Sequence, residues 1–150
     1  MSSYLHHFNR LRDARLYDEI IDSIPYARTI GVRFALDENG VLLFSLPFSE
    51  RNVGNPTLPA LHGGLIGGFL ENSALIHLMW NGESADTPKI VDFSLDYLRP
   101  GRAQTLYARC EITKQGKRVA HVLIEAWQDD PERPVAVARA HFLLAKSSAN

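Results

Sequence analysis

The chain has 150 residues, of which 45% are hydrophobic and 22% charged, with a formal net charge of −1. These values are typical of a globular protein, and we expect a single domain over residues 1–150. The near-zero charge gives no electrostatic reason to expect a nucleic acid partner. Because no apolar run is long enough to cross a bilayer and no secretory leader is recognisable, the sequence predicts a cytoplasmic protein without a membrane partner.

Residues that could bind a metal or a nucleotide are sparse. The one cysteine, Cys110, cannot form an internal disulfide and lies in a strand-like segment, which predicts a reduced core thiol. With one cysteine and no H-E-x-x-H spacing, no metal site is expected. The glycine-rich phosphate loops and the serine nucleophile elbow are also missing, so we expect no cofactor. His6 and His7 are interpreted as part of a disordered terminus.

Periodicity and turn residues predict the elements in chain order. A short amphipathic helix is expected at 9–22, ended by Pro25, and the core of the domain at about 26–146. A proline-rich loop is predicted from 47 to 60. The alanines of the last predicted strand also allow a helix there. Strands are predicted at 30–36, 41–47, 90–98, 106–113, 118–127 and 135–145.

The predicted fold is built around residues 55–80, which have the sequence NPTLPALHGGLIGGFLENSALIHLMW. The part after the prolines is predicted to form one helix of roughly 18 residues, about 27 Å long. The helix is apolar on most faces, yet it is too short and too polar for a membrane span. We therefore predict an α+β fold, in which an antiparallel sheet of about six strands wraps around this central helix.

Two features of this helix suggest chemistry. Gly63 and Gly64 leave open backbone N–H groups at its positive end, where an anion or a carbonyl oxygen can bind. Glu71 is an acid within an apolar run, on the same side as Gly64, Gly67 and Gly68, which predicts a groove beside the carboxylate. The alternatives are that the glycines only permit close packing and that Glu71 is a surface residue.

Open amides together with a carboxylate suit acyl transfer to water. The amides stabilise the oxyanion, and the carboxylate activates water or attacks the carbonyl. Gly63 and Glu71 are eight residues apart, which is about 12 Å along a helix. Both groups are needed within about 3 Å of one reacting centre. We therefore expect at least a dimer, with Gly63 from one chain and Glu71 from the other.

Two segments, VGNPTLPALHGGLIGGFLE (53–71) and VDFSLDYLRPGR (91–102), carry a family resemblance. The chain resembles the hotdog-fold acyl-CoA thioesterases, in particular the phenylacetate-pathway (PaaI-like) and 4-hydroxybenzoyl-CoA thioesterase group, over about residues 26–146. The resemblance implies a long helix wrapped by an antiparallel sheet and subunits joined edge to edge as dimers or tetramers. It also implies an acyl-CoA substrate and no cofactor.

The resemblance assigns roles to individual residues. Gly63, with Gly64 beside it, supplies the polarising amide, and Glu71 acts as nucleophile or general base. Asn55 positions water or the thioester, although the stretch from Asn55 to His62 is one residue longer than in the common family pattern. His62 is a supporting hydrogen-bonder or a cap that holds the loop. The candidates for binding coenzyme A phosphates are Arg99, Arg102, Lys117 and Arg118.

Two other functions are compatible with this sequence. One is a hotdog dehydratase or hydratase acting on 3-hydroxyacyl or enoyl thioesters. Such enzymes usually carry a histidine in the loop before the helix, whereas this loop offers Asn55. The other is a non-catalytic acyl-CoA-binding protein, against which the acid at position 71 argues.

Overall fold

A computed structural model of the chain describes residues 2–82 and 86–145 and confirms the α+β class. One long helix packs against a six-stranded sheet, and a two-stranded sheet lies beside them. The helices are α1 (Ser3–Asp13), α2 (Tyr17–Asp22), α3 (Pro25–Ile30) and α4 (Gly63–Asn81). The strands are β1 (Arg33–Leu36), β2 (Leu42–Leu46), β3 (Val53–Asn55), β4 (Ala60–Leu61), β5 (Lys89–Tyr97), β6 (Leu106–Gln115), β7 (Val119–Trp127) and β8 (Ala136–Leu143).

The N-terminal region differs from the single helix predicted at 9–22. That segment contains the end of α1 and all of α2, separated by Arg15, whose φ of 55° is left-handed and ends a helix. The two helices are therefore separate, and each buries its own apolar side chains. His6 and His7 lie within α1, so their interpretation as disordered residues is wrong.

Pro25 begins a helix instead of only ending one. It occupies the first turn of α3, where its missing N–H costs no hydrogen bond. Gly31, with φ of 91°, ends α3 in the left-handed conformation that glycine adopts readily. The first strand consequently begins at Arg33 and not at position 30.

The proline-rich loop predicted from 47 to 60 contains regular structure. A 3₁₀ turn at Glu50–Asn52 leads into β3, which pairs with β4 in a small antiparallel sheet. The His62 N–H donates to the Asn52 carbonyl oxygen at 2.9 Å, and the Leu61 N–H donates to the Gly101 carbonyl oxygen at 2.8 Å. These bonds fix the chain immediately before α4.

The main sheet has the strand order β1-β2-β6-β7-β8-β5, and every neighbouring pair is antiparallel. Its strands match the six predicted ones, and α4 matches the predicted central helix to within a residue or two. Alternate residues of β6, β7 and β8 point toward α4, as the period of two requires. The largest fully buried side chains include Phe44, Phe69 and Phe142, which come from β2, α4 and β8.

Strand β5 lies at one edge of the main sheet. It pairs with β8 on one side, and no strand among the described residues pairs with its other side. Tyr97 and Leu98 at its end are 55% and 51% exposed. A nine-residue edge with apolar side chains invites pairing with another chain.

Cys110 lies in β6 and is buried, so the predicted core thiol is confirmed. Burial raises the pKa of this thiol, which keeps it protonated and a poor nucleophile. Within the described part of the chain, no helix has both the length and the apolar character needed to cross a bilayer.

His77 in α4 is expected to make stability depend on pH. It is 9% exposed, its Nδ1 lacks a hydrogen-bond partner within the described structure, and burial lowers its pKa from 6.5 to about 4. Its contribution to stability is complete above about pH 6.5 and is lost as the pH falls to about 4, because the unfolded chain then binds the proton more tightly. We expect this histidine alone to lower the free energy of unfolding by about 3 kcal/mol across that range.

Urea unfolding at several pH values measures this effect. In His77→Leu the fall in unfolding free energy between pH 6.5 and 4 should be smaller than in the wild type by that amount. An unchanged pH dependence would show that His77 is not the responsible group.

Candidate functional site

His62 caps the beginning of α4. Its Nδ1 accepts hydrogen bonds from the backbone N–H of Gly64 at 3.0 Å and of Leu65 at 3.3 Å. An amide N–H can only donate, so Nδ1 carries no proton and the neutral ring holds its proton on Nε2. Within this arrangement the Gly64 amide is occupied by the cap, and Nδ1 is not available as a base.

Gly63 presents the open amide at this end of α4. Among the residues that the structure describes, none accepts a hydrogen bond from its N–H. Its carbonyl oxygen accepts a hydrogen bond of 2.7 Å from the hydroxyl of Tyr97 at the end of β5. The two adjacent glycines therefore differ, because Gly64 donates to the cap while Gly63 retains a free donor.

Glu71 lies two helical turns further along α4 and is half-buried. Nothing in the described part of the chain forms a hydrogen bond or an ion pair with its carboxylate. A buried acid without partners is costly, so a half-buried one at the side of a helix suits an interface or a cleft. The structure does not bring it to Gly63, since both lie on one continuous helix at an axial separation of about 12 Å.

The groove expected beside Glu71 is filled within the chain. A Cβ placed on Gly68 would lie 2.7 Å from the ring and hydroxyl of Tyr26, and one placed on Gly67 would lie 3.3 Å from Leu95. The expectation of a groove is therefore wrong, and close packing against α3 and β5 accounts for these two glycines. The contact with Leu95 also shows that this side of α4 lies along the free edge of the sheet.

Two neighbouring cavities lie near the start of α4. The first, of about 320 Å³, is lined by Gly63 and Tyr97 with apolar neighbours such as Ile66. It shares Arg99 and Pro100 with a second cavity of about 530 Å³. The open amide therefore lies in a largely apolar cavity, and the neighbouring cavity is lined by several charged side chains.

A third cavity lies on the other side of the helix start. It measures about 350 Å³ and is lined by His62, Gly64, Tyr26 and Arg51, among others. A larger cavity of about 640 Å³, lined by β1 and the beginning of α2, contains none of the predicted site residues. Cavity size alone therefore does not select a site, and the start of α4 is the candidate because of its open amide.

The four basic residues predicted to bind phosphates fall into two groups. Arg99 and Arg102 line the 530 Å³ cavity, where Arg99 Nη1 donates to the Pro134 carbonyl oxygen at 2.6 Å and Arg102 pairs with Asp129. Lys117 and Arg118 are exposed in the turn between β6 and β7. That turn is at the opposite end of β6, so one chain does not place all four around one ligand.

Asn55 is exposed in β3 and lines neither cavity at the helix start. Its Oδ1 accepts a hydrogen bond from the Thr57 N–H at 3.0 Å, so the side chain stabilises its own turn. Asn52 has the buried position instead. Its Nδ2 donates to the Ile30 carbonyl oxygen at 3.0 Å, and its carbonyl oxygen receives the His62 N–H.

Three residues of the site were not singled out from the sequence. Tyr97 reaches Gly63 from 34 positions away, and Arg133 joins Arg99 and Arg102 in the 530 Å³ cavity from a distant turn. Asn52 is the buried one of two nearby asparagines, and nothing in the sequence distinguishes it from Asn55. Local patterns carry no signal for such contacts; the only hint was Tyr97 within the YLRPGR segment.

Comparison with known proteins gives a consistent picture. The profile of the Thioesterase superfamily matches residues 58–135. A crystal structure of a Chromobacterium violaceum protein is 65% identical, with a TM-score of 0.80, over 93% of this chain and 97% of its own. The medium/long-chain acyl-CoA thioesterase YigI of Salmonella typhimurium is 24% identical over 134 residues, which are 81% of this chain and 86% of its own.

A Bacillus halodurans protein solved with CoA has the same fold. Its TM-score is 0.70 at 22% identity, covering 97% of this chain and 91% of its own. Together with the sheet order and the central helix, these likenesses confirm the hotdog fold predicted from the sequence.

Proposed function

Because the chain belongs to the thioesterase superfamily and is a thioester hydrolase, we propose that its substrates are acyl-CoA thioesters, which it cleaves to free acid and CoA. The observation that supports this most directly is the Gly63 amide, which has no acceptor among the described residues and lies in a cavity adjoining one lined by three arginines. In this proposal the thioester carbonyl binds at the amide, the pantetheine arm lies along the apolar cavity beside it, and the phosphates bind near Arg99, Arg102 and Arg133. The YigI relative, named for acyl-CoA hydrolysis, supports the same substrate class.

The reacting carboxylate comes from a second copy of the chain in this proposal. Gly63 lies level with Tyr97, and Gly67 lies level with Leu95 and Phe93, so α4 runs antiparallel to β5. Eight helical residues advance about 12 Å, which is the length of about four strand residues, so Glu71 lies at about the level of Phe93. Tyr97 and Phe93 are equally far from Leu95.

Pairing of the free β5 edges about a two-fold axis near Leu95 would therefore put Gly63 of one subunit opposite Glu71 of the other. Such a pairing is isologous, because the same surface is used by both subunits, and it removes the exposed edge. A dimer thus has two equivalent sites, and each site takes one group from each chain. Higher assemblies such as tetramers leave this pairing intact.

The chemistry follows from these two groups. Glu71 accepts a proton from water, whose oxygen attacks the thioester carbon, and the Gly63 N–H stabilises the resulting oxyanion. Collapse of this intermediate breaks the C–S bond, and the thiolate of CoA takes the proton back from Glu71. Direct attack by the Glu71 carboxylate, giving an anhydride that water then hydrolyses, uses the same positions.

The proposed acyl groups are aliphatic, of medium or long chain, because the YigI relative is named a medium/long-chain acyl-CoA thioesterase. Aromatic and branched acyl-CoA esters are the natural comparison.

Release of CoA from a panel of acyl-CoA esters, scored by kcat/KM, tests the proposed substrate class. We expect turnover of medium- and long-chain esters and no hydration of enoyl-CoA. Arg133→Ala should raise KM for acyl-CoA by at least about tenfold, because a charge-assisted phosphate contact contributes about 1.5–3 kcal/mol. The same variant should leave KM unchanged for an acyl ester of N-acetylcysteamine, which lacks the nucleotide.

Arg10→Ala, on an exposed face of α1, is the matched control and should behave as the wild type does. An enzyme that prefers the truncated ester, or an equal loss with both esters in Arg133→Ala, would contradict recognition of CoA at this cavity. Saturable binding without turnover would indicate a binding protein instead.

A further inference from the structure

The hydroxyl of Tyr97 begins a hydrogen-bond chain through the first peptide of α4. It donates to the Gly63 carbonyl oxygen at 2.7 Å, and the N–H of the same peptide unit, that of Gly64, donates to His62 Nδ1 at 3.0 Å. Hydrogen bonds at the two ends of one peptide strengthen each other by polarisation. The peptide between Gly63 and Gly64 is therefore held from the sheet side and from the loop side.

Such support matters here because two adjacent glycines are the most flexible possible beginning of a helix. Oxyanion stabilisation depends on a donor whose direction is fixed before the reaction. None of the described residues accepts a hydrogen bond from the Gly63 N–H, so its direction is set by the backbone on either side. The peptide that carries this N–H is held at the His62 carbonyl oxygen, which accepts from the Ile66 N–H at 3.1 Å. The next peptide, between Gly63 and Gly64, is held by Tyr97 and His62.

The ring of Tyr97 also closes the space next to Gly63. A Cβ placed on Gly63 would lie 3.2 Å from the Tyr97 hydroxyl oxygen and 3.3 Å from Cζ. The ring and Gly63 line the same 320 Å³ cavity. Tyr97 is thus close enough to restrict the glycine, and its hydroxyl is committed to the backbone.

We propose that Tyr97 is a positioning residue for thioester hydrolysis, holding the Gly63 amide in the direction that the oxyanion requires. This role rests on the proposed function of the Gly63 N–H, which is to stabilise the oxyanion. The hydrogen bonds continue to His62, whose cap occupies the Gly64 N–H, so that among the described residues of the first turn of α4 only the Gly63 N–H has no acceptor. Tyr97 itself transfers no proton and acts on the substrate only through Gly63.

Tyr97→Phe tests the role, since it removes the hydroxyl and retains the ring. We expect kcat to fall about tenfold with KM within about twofold of the wild type, as for loss of support to a transition-state contact. Tyr107→Phe is the matched control, because this half-buried tyrosine stacks on Trp127 at a centroid distance of 6.2 Å. A rise in KM at unchanged kcat in Tyr97→Phe would overturn the positioning role.

A second comparison separates positioning from general structural damage. Gly63→Pro lacks the amide hydrogen, whereas Gly63→Ala keeps it. Adding Tyr97→Phe should reduce kcat about tenfold in the alanine background and have little effect in the proline background. An equal loss in both backgrounds would show that Tyr97 acts by another route.

The hydrogen-bond chain is also measurable without activity. In ¹⁵N-labelled protein, Tyr97→Phe should move the Gly64 amide proton upfield, whereas Tyr107→Phe should not. If the Gly64 signal does not move, the hydrogen-bond chain through this peptide is refuted even when the enzyme is active. If the signal shifts in a protein that hydrolyses no thioester, the proposed function is refuted and the hydrogen-bond chain is still supported.

Discussion

Replacing Glu71 by glutamine should reduce kcat for acyl-CoA hydrolysis by about 1,000-fold, because the amide can neither accept the proton of water nor attack the carbonyl. The two side chains have nearly the same shape. In the described residues the carboxylate has no partner whose loss would destabilise the chain. The melting temperature and the oligomeric state should therefore stay as in the wild type, and KM should change little. CoA release in single-turnover and steady-state assays measures the effect.

Glu38→Gln provides the matched control, since Glu38 is exposed in the turn between β1 and β2 and carries the same charge. It should retain full activity. Wild-type turnover in Glu71→Gln would remove the carboxylate from the mechanism and leave the hydrolase without its proposed base. Glu71→Asp should retain part of the activity, because it keeps the carboxylate on a shorter side chain.

The sequence predicted the parts of the structure that depend on local periodicity. The apolar run after His62 is long and without proline, so α4 was predicted to within a residue or two. The six strands of the main sheet alternate or are β-branched, and they were predicted too. The break at Arg15 was not, because a left-handed arginine has no local signature. The β3–β4 pair was missed because strands of two or three residues show no period.

The site was predictable where its residues are neighbours in sequence and unpredictable where the fold brings them together. The His62–Gly63–Gly64 opening and Glu71 follow from one helix. The Gly64 N–H is hydrogen-bonded and the Gly63 N–H is open because of the rotamer of His62, which no sequence pattern specifies. The contact of Tyr97 with Gly63 depends on how β5 lies along α4. The separation of Lys117 and Arg118 from the other arginines depends on the length of β6.

Gly63→Pro should be the most specific way to remove the oxyanion donor. Proline has no N–H, it is favoured in the first turn of a helix, and the preceding His62 already has the extended conformation (φ −63°, ψ 131°) that proline requires. Gly63→Ala introduces the same Cβ next to Tyr97 while it keeps the N–H. We expect kcat of the proline variant to be about 100- to 1,000-fold below that of the alanine variant. Equal activities would mean that another donor binds the oxyanion.

Mixing the two inactive variants then tests whether each site is shared between subunits. In a mixed dimer of Glu71→Gln and Gly63→Pro chains, the intact Gly63 of one chain meets the intact Glu71 of the other, so one of the two sites is complete. After unfolding and refolding an equimolar mixture, random pairing gives about half mixed dimers and therefore about a quarter of wild-type activity. If both groups acted within one chain, no pairing could restore a site. Activity that stays at the level of the separate variants would exclude the shared site, provided that mixed dimers are shown to form by native mass spectrometry.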